Sequence, residues 1–179
     1  MALSNLKTKY MTRNDCYTAR RKMTPKGIMV HSTATPGVMA SDWFDRWNKS
    51  YKAGEINRQV CVHAFLDDKE IWQYLPWNHR GWHAGGKAND THIGFEICEP
   101  GGFSYSKNQM VGYDAKKNEA YFRKAWQNAV NLCVLSLQRV WSDRKRYHQP
   151  CGRKQKRDCI KSFRCWPLVS KAWGEYGYL

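Results

Sequence analysis

The stretch GIMVHSTATPG, from Gly27 to Gly37, is an apolar run that stops at a histidine. A brief apolar run bounded by turn signals is typical of a buried strand, which we predict from Lys26 to His31. Small residues follow, and Pro36-Gly37 then predicts a turn. A side chain at the end of such a strand faces the mouth of a cleft, so His31 is a candidate functional residue. Taken alone, the signal is weak, because a lone histidine is more often a hydrogen-bonded structural residue.

The composition indicates a folded domain with an anionic partner. The chain has 179 residues, 42% of them hydrophobic, which is enough for one domain with a core. The formal net charge of +15 favours nucleic acid, a membrane surface or an acidic polymer such as a bacterial wall. No apolar stretch approaches the roughly 20 residues that span a bilayer. The odd count of seven cysteines predicts free thiols or metal ligands rather than a disulfide framework.

Local patterns predict alternating strands and helices. Residues 1–23 are polar and basic and are predicted to form an N-terminal arm. A helix is predicted from Ser41 to about Lys52, where Trp43, Phe44 and Trp47 recur at helical spacing. VCVHAFL (60–66) and EIWQYLP (70–76) predict a hairpin. A further strand, Ile93 to Pro100, and a helix from Lys116 to about Gln138 follow.

Two further features accompany His31. GWHAGG (81–86) places His83 in a glycine-rich loop, where the backbone can approach a ligand. IGFEICEP (93–100) places Glu96 on an apolar strand. A carboxylate is costly to bury unless it is paired or lies near a metal. Burial tends to raise its pKa, which suits a general base.

These motifs, in this order, resemble the type-2 N-acetylmuramoyl-L-alanine amidases, which include phage endolysins, bacterial wall amidases and peptidoglycan recognition proteins. The likeness covers residues 24–133, which are therefore expected to form an amidase core. It implies a single α/β domain with a central mixed β-sheet flanked by helices and a zinc groove at one end of the sheet. It also implies zinc-dependent hydrolysis of the amide bond between N-acetylmuramic acid and L-alanine in peptidoglycan.

The resemblance also assigns roles to individual residues. His31 matches the first Zn²⁺ ligand and Glu96 the catalytic strand glutamate. His83 matches a catalytic-cleft histidine, although ordering its loop is an equal alternative. Further residues are expected to bind substrate, with loop packing or a structural role as the alternative: Trp82, Trp77, Asn89 and His63.

The remaining zinc ligands of the family lie after the long helix, where this chain departs from the pattern. His148 is the candidate second ligand, and Cys159 or Asp158 the third. Residues 134–179 are basic and cysteine-rich. They also fit a solvated tail, or a separate zinc site formed by His148, Cys151, Cys159 and Cys165, although no CxxC knuckle is present.

A third interpretation is that this segment is read out of frame. Permitted codons for residues from 134 onward, shifted by one base, can read YCLCKEFGLTEKDIISH and later HSDVGHWFP. Such a string looks like the family at its second and third ligands. If the shift is real, this product lacks those ligands and its activity is impaired.

The expected partner is bacterial peptidoglycan. The protein is expected to be a monomer that does not span a membrane and does not bind nucleic acid. The start lacks the apolar region of a signal peptide. The protein is therefore expected to be made in the cytoplasm and to act on the wall after release, or intracellularly. The alternative functions are peptidoglycan binding without catalysis and, on charge alone, nucleic-acid binding.

Overall fold

A five-stranded mixed β-sheet forms the centre of the protein. The computed structural model describes residues 3–147, with side chains to residue 138. The sheet order is β1-β4-β3-β5-β2, in which β3 and β4 are antiparallel and the other neighbours are parallel. The strands are β1 (Leu6–Thr8), β2 (Gly27–Ser32), β3 (Ala64–Leu66), β4 (Ile71–Gln73) and β5 (His92–Ile97). A separate hairpin joins β6 (Ser104–Ser106) to β7 (Gln109–Val111).

Within residues 3–147, three α-helices accompany the sheet: α1 (Asp15–Thr18), α2 (Trp43–Trp47) and α3 (Ala115–Tyr147). Because side chains alternate along a strand, β3 contributes side chains to the packing on both faces of the sheet. Phe65 stacks on Trp43 of α2, with ring centroids 4.7 Å apart. Leu66 packs on the other face in a cluster with Ala129 and Leu132 of α3. The predicted α/β fold, with a central mixed sheet flanked by helices, is confirmed.

The N-terminal arm predicted for residues 1–23 is not an appendage. Leu6 pairs with Ile71 in the parallel β1–β4 ladder, and Met11 is fully buried. Asn14 donates hydrogen bonds to the carbonyls of Trp47, at 2.9 Å, and Val60, at 3.0 Å. A three-residue strand held by main-chain bonds has too few side chains to produce a periodic signal, so the sequence pattern did not reveal it.

Helix α2 is shorter than predicted because hydrogen bonds to Asp15 hold the residues that follow it in a non-helical conformation. A 3₁₀ turn at Ala40–Asp42 precedes the helix, which ends at Trp47 instead of reaching Lys52. The carboxylate of Asp15 accepts hydrogen bonds from the Ser50 hydroxyl, at 2.8 Å, and the Lys52 amide, at 3.0 Å. These bonds take the backbone out of the helical path.

Helix α3, in contrast, is longer than predicted and runs to Tyr147. Among residues 3–147, no helix is both long and apolar enough to cross a membrane.

Candidate active site

His31 and Glu96 lie side by side at one edge of the sheet. His31 is near the end of β2, and the parallel register pairs it with Glu96 of β5. The carboxyl ends of parallel strands meet at the same sheet edge, and paired positions point to the same face. The sheet therefore brings together the two residues that the sequence singled out on separate strands.

His83 joins them from the loop between β4 and β5. Its Nδ1 lies 3.1 Å from Nε2 of His31, and its Nε2 lies 3.3 Å from the carbonyl oxygen of His92. The ring rests on Gly94 of β5, where a Cβ would lie 2.5 Å from Nδ1 of His83. A glycine inside a strand often marks such a close approach. Gly94 therefore makes the space in which His83 reaches His31.

The protonation states of these two histidines follow from their surroundings. Burial, with added repulsion from His63 and His31, lowers the pKa of His83 to about 3. Burial also lowers the pKa of His31. Both rings are then neutral at pH 7, and because a carbonyl can only accept, Nε2 of His83 is the donor to His92. Nδ1 of His83 consequently accepts the Nε2 proton of His31.

This tautomer leaves a lone pair on Nδ1 of His31. The hydrogen bond to His83 is made by the other ring nitrogen, Nε2. A metal-binding histidine typically donates its other ring N–H to a fixed acceptor, which sets its tautomer and orientation. His83 supplies such an acceptor to His31.

His63 lies next to His83, with ring centroids 6.0 Å apart, and Trp77 packs on His63. His63 is fully buried; its Nε2 donates to the carbonyl of His79 at 2.8 Å, and its Nδ1 accepts from the amide of Gly94 at 3.0 Å. Burial lowers its pKa to about 4. Trp77 stacks on the imidazole, with centroids 6.2 Å apart. Both ring nitrogens of His63 are engaged by backbone, which matches the structural alternative for this residue.

Asn89 and Trp82 shape the loop that carries His83. The side-chain oxygen of Asn89, which is 1% exposed, accepts hydrogen bonds from the amides of His83, at 2.8 Å, and Ala84, at 3.0 Å. Trp82 is 40% exposed, and the guanidinium of Arg80 lies 4.7 Å from its ring centroid. Asn89 therefore orders the loop from within, while Trp82 presents an aromatic face to solvent.

Glu96 is a half-buried residue between two cavities, and its Oε2 atom is shielded from solvent. Burial, together with the nearby charge of Glu99, raises the pKa of Glu96 to about 8, although Arg58 opposes the rise. Its Oε2 has no hydrogen-bond partner among the described residues. A carboxyl group that titrates near neutral pH is suited to general acid–base chemistry.

The two cavities differ in lining. One, of about 290 Å³, is lined by polar and aromatic groups that include Thr33, Arg58, Trp82 and His83. The other, of about 360 Å³, lies between the sheet edge and α3. Glu96 lines both cavities.

Two site residues were missed by the sequence analysis. Glu99 is 2% exposed and accepts hydrogen bonds from the hydroxyls of Ser32 and of Tyr105, the latter at 2.8 Å. Its position three residues after Glu96 in the same apolar stretch was an available signal. Arg58 lines the polar cavity described above from a segment without regular structure. No pattern in the sequence indicates that it belongs to the site.

The described residues do not complete a metal site. Within residues 3–147, no group of three or more His, Cys, Asp or Glu side chains is placed to hold an ion. The candidate ligands His148, Asp158 and Cys159 lie outside the described residues. The described part of the site thus offers one predicted zinc ligand, His31.

Comparison with known proteins identifies the family. The model of the N-acetylmuramoyl-L-alanine amidase family matches residues 21–159. The chain belongs to this family. The predicted resemblance to type-2 amidases is thereby confirmed, and the family's members are hydrolases that act on the amide bond of peptidoglycan.

Individual relatives agree with the family match. The amidase XlyA of Bacillus subtilis is 39% identical over 137 residues, covering 74% of this chain and 41% of that protein. The amidase XlyB of the same organism is 31% identical over 155 residues, covering 84% and 42%. A mutant structure of PlyL superimposes with a TM-score of 0.54 at 26% identity, covering 75% and 74%. The chain spans about two-fifths of the length of these two curated relatives.

Proposed function

We propose that this chain hydrolyses the amide bond between N-acetylmuramic acid and L-alanine in bacterial peptidoglycan, and that it depends on zinc to do so. Membership of the amidase family supports the reaction class. The structural observation that carries the proposal is the meeting of His31, His83 and Glu96 at the carboxyl ends of two parallel strands.

The metal-binding part of the proposal rests on His31. Its Nδ1 lone pair is available, and the hydrogen bond from Nε2 to His83 fixes the ring. A neutral, oriented imidazole is a suitable zinc ligand. Zinc, if held there, would supply Lewis-acid chemistry: it would polarise the scissile carbonyl and make a water molecule more acidic. The further ligands would have to come from beyond residue 147, where His148 and Cys159 are the candidates.

Glu96 is the proposed proton carrier. Hydrolysis of an amide requires a proton to leave the attacking water and a proton to reach the departing amine. Oε2 of Glu96 is buried and carries no competing hydrogen bond from the described residues, so it is available for both transfers. Arg58 and Trp82, on the polar cavity, would face a substrate that carries carboxylates and sugar faces.

Digestion of purified peptidoglycan tests the reaction. We expect new N-terminal L-alanine without new reducing sugar ends, and we expect a chelator to abolish the release. His31→Ala should lose activity, and Glu96→Gln should lose roughly 10²–10⁴-fold. Glu70→Gln, which alters an ion pair with Lys7 on the β1–β4 side of the sheet, is the matched control and should retain activity. Release of reducing ends in place of amino groups would contradict the proposal.

A second candidate function, peptidoglycan binding without catalysis, follows if residues 134–179 are read out of frame. Ser136 supports this interpretation. It is 1% exposed, and its hydroxyl has no hydrogen-bond partner among the described residues. Burying an unpaired hydroxyl costs about 1–3 kcal/mol. Ser136 lies three residues after Cys133, the last residue of the amidase-like segment, and the shifted string has leucine at this position.

The nucleotide sequence and the zinc content separate the two functions. Codons that forbid the shifted string would exclude the frameshift. If the frame has slipped, this chain should bind insoluble peptidoglycan, hold much less than one zinc ion per chain and expose no new N-terminal L-alanine. A frame-restored chain, prepared in parallel, should hold one zinc and be active. One tightly bound zinc in the present chain would instead show that its own C-terminal segment supplies ligands.

A further inference from the structure

Two buried cysteines meet outside the proposed active site. Cys16, in α1, and Cys61, just before β3, are 45 positions apart in sequence. They share a buried cluster with Leu75, and Tyr17 packs against it. Cys16 is 5% exposed and Cys61 is fully buried. The thiol of Cys61, which also lies 3.5 Å from the carbonyl oxygen of Val62, interacts with that of Cys16 strongly enough for each to shift the pKa of the other.

The backbone holds the two cysteines together independently of their own contact. The side chain of Asn14 accepts a hydrogen bond from the amide of Cys16 at 2.9 Å and donates one to the carbonyl of Val60 at 3.0 Å. On the other side, Cys61 and Trp82 exchange two main-chain hydrogen bonds, at 3.1 and 2.9 Å. Both residues are therefore placed by fixed neighbours, which limits the rearrangement that a covalent bond would require.

The two thiols differ in their ability to react. The hydrogen bond from Cys61, followed by the positive charge of Arg80, lowers the pKa of Cys16. The same hydrogen bond and complete burial raise the pKa of Cys61. The thiolate is the attacking species in thiol–disulfide exchange. Cys16 is thus the nucleophile, and it is also the more accessible of the two.

We propose that Cys16 and Cys61 form a reversible disulfide when the folded protein meets a low-molecular-weight disulfide such as oxidised glutathione. The Cys16 thiolate attacks oxidised glutathione and releases one glutathione thiolate. The Cys61 thiol loses its proton and displaces the second glutathione from Cys16. Two protein thiols are oxidised, one oxidised glutathione is reduced to two glutathiones, and no further reactant is needed.

The bond would fasten α1 to the segment before β3 that pairs with the active-site loop. Cys61 bridges to Trp82, the residue next to His83, so the bond would brace one wall of the groove. It would also close a loop of about 45 residues in the unfolded chain, which lowers the entropy gained on unfolding. The inference does not depend on the proposed hydrolysis and can fail or succeed separately from it.

Peptide mapping of the full chain tests the inference. The protein is incubated with oxidised glutathione, alkylated and digested with trypsin without reduction. The peptides NDCYTAR (14–20) and QVCVHAFLDDK (59–69) should leave as one linked species that has lost two hydrogens. The Tm should rise by roughly 5 °C or more and return after dithiothreitol treatment.

Variants show which thiols are responsible. Cys16→Ala and Cys61→Ala should each abolish the rise in Tm, whereas Cys133→Ala, a cysteine on α3, should keep it. The inference is overturned if the wild-type map shows glutathione left on Cys16, either cysteine linked elsewhere, or both still alkylated. Because that map uses the wild-type chain, it decides the matter even if a variant does not fold.

Discussion

Replacing Glu96 by glutamine removes a carboxyl group that the fold buries at a cost. Burial, followed by the charge of Glu99, raises the pKa of Glu96 from an ordinary 4.5 to about 8. Between these values the folded protein keeps a proton that the unfolded chain releases. The contribution of Glu96 to the free energy of unfolding therefore falls as the pH rises through this window.

The size of the effect follows from the same linkage. Glutamine has nearly the same shape as the protonated side chain and no proton to lose. Between pH 5 and pH 8 we expect the metal-free wild type to lose roughly 3–4 kcal/mol of unfolding free energy relative to Glu96→Gln. The loss should accumulate at about 1.4 kcal/mol per pH unit in the middle of the range.

Urea denaturation of chelator-treated protein at several pH values measures this difference. Glu70→Gln is the matched control. Burial tends to raise the pKa of Glu70, but hydrogen bonds from Lys7 and Trp72 outweigh it and lower the pKa. Its difference from the wild type should be constant from pH 5 to pH 8 and change only at lower pH. A constant difference for Glu96→Gln as well would refute the conclusion that Glu96 is protonated in the folded, metal-free protein.

Three further predictions follow from the site. Gly94→Ala should displace the His83 ring, lower the free energy of unfolding by roughly 1–3 kcal/mol and reduce zinc affinity. The control is Gly101→Ala, whose Cβ would lie 3.6 Å from its nearest neighbour. It should be nearly neutral in both denaturation and zinc titration. Asn89→Ala should cost about 1–3 kcal/mol, because two loop amides lose their acceptor, and should speed amide hydrogen exchange in the loop. Relative to His63→Gln, the metal-free wild type should lose unfolding free energy in urea as the pH falls from 6.5 towards 4. The reason is that burial lowers the pKa of His63 to about 4, so in this range only the unfolded chain protonates that residue.

Local pattern was enough to locate several elements. The strand that ends at His31, the strand that carries Glu96, the hairpin of β3 and β4 and the long helix all show as runs of apolar residues with a definite period. Each signal is carried by neighbours in sequence, because side chains repeat every two residues in strands and every 3.6 in helices. The end of α2 was misplaced because the contact with Asp15 that ends it is remote in sequence.

The candidate active site was likewise predicted only in part from the sequence. The residue types and their order pointed to His31 and Glu96, and resemblance to the amidases gave them roles. The pairing of His31 with Glu96 depends on the parallel register of β2 and β5, which neither strand encodes alone. The position of His83 depends on the absence of a side chain at Gly94. The orientation of His63 depends on hydrogen bonds to the backbone of two other segments, at His79 and Gly94.

The sequence by itself determined the family of the chain, through a histidine near a strand end, a carboxylate inside an apolar strand and the order of the amidase motifs. The tertiary structure alone decided the tautomer of His31, the raised pKa of Glu96 and the contact between Cys16 and Cys61. The physical reason is that desolvation, charge and hydrogen bonding at a group arise from all the segments that surround it. In this protein those segments come together only when the sheet has formed.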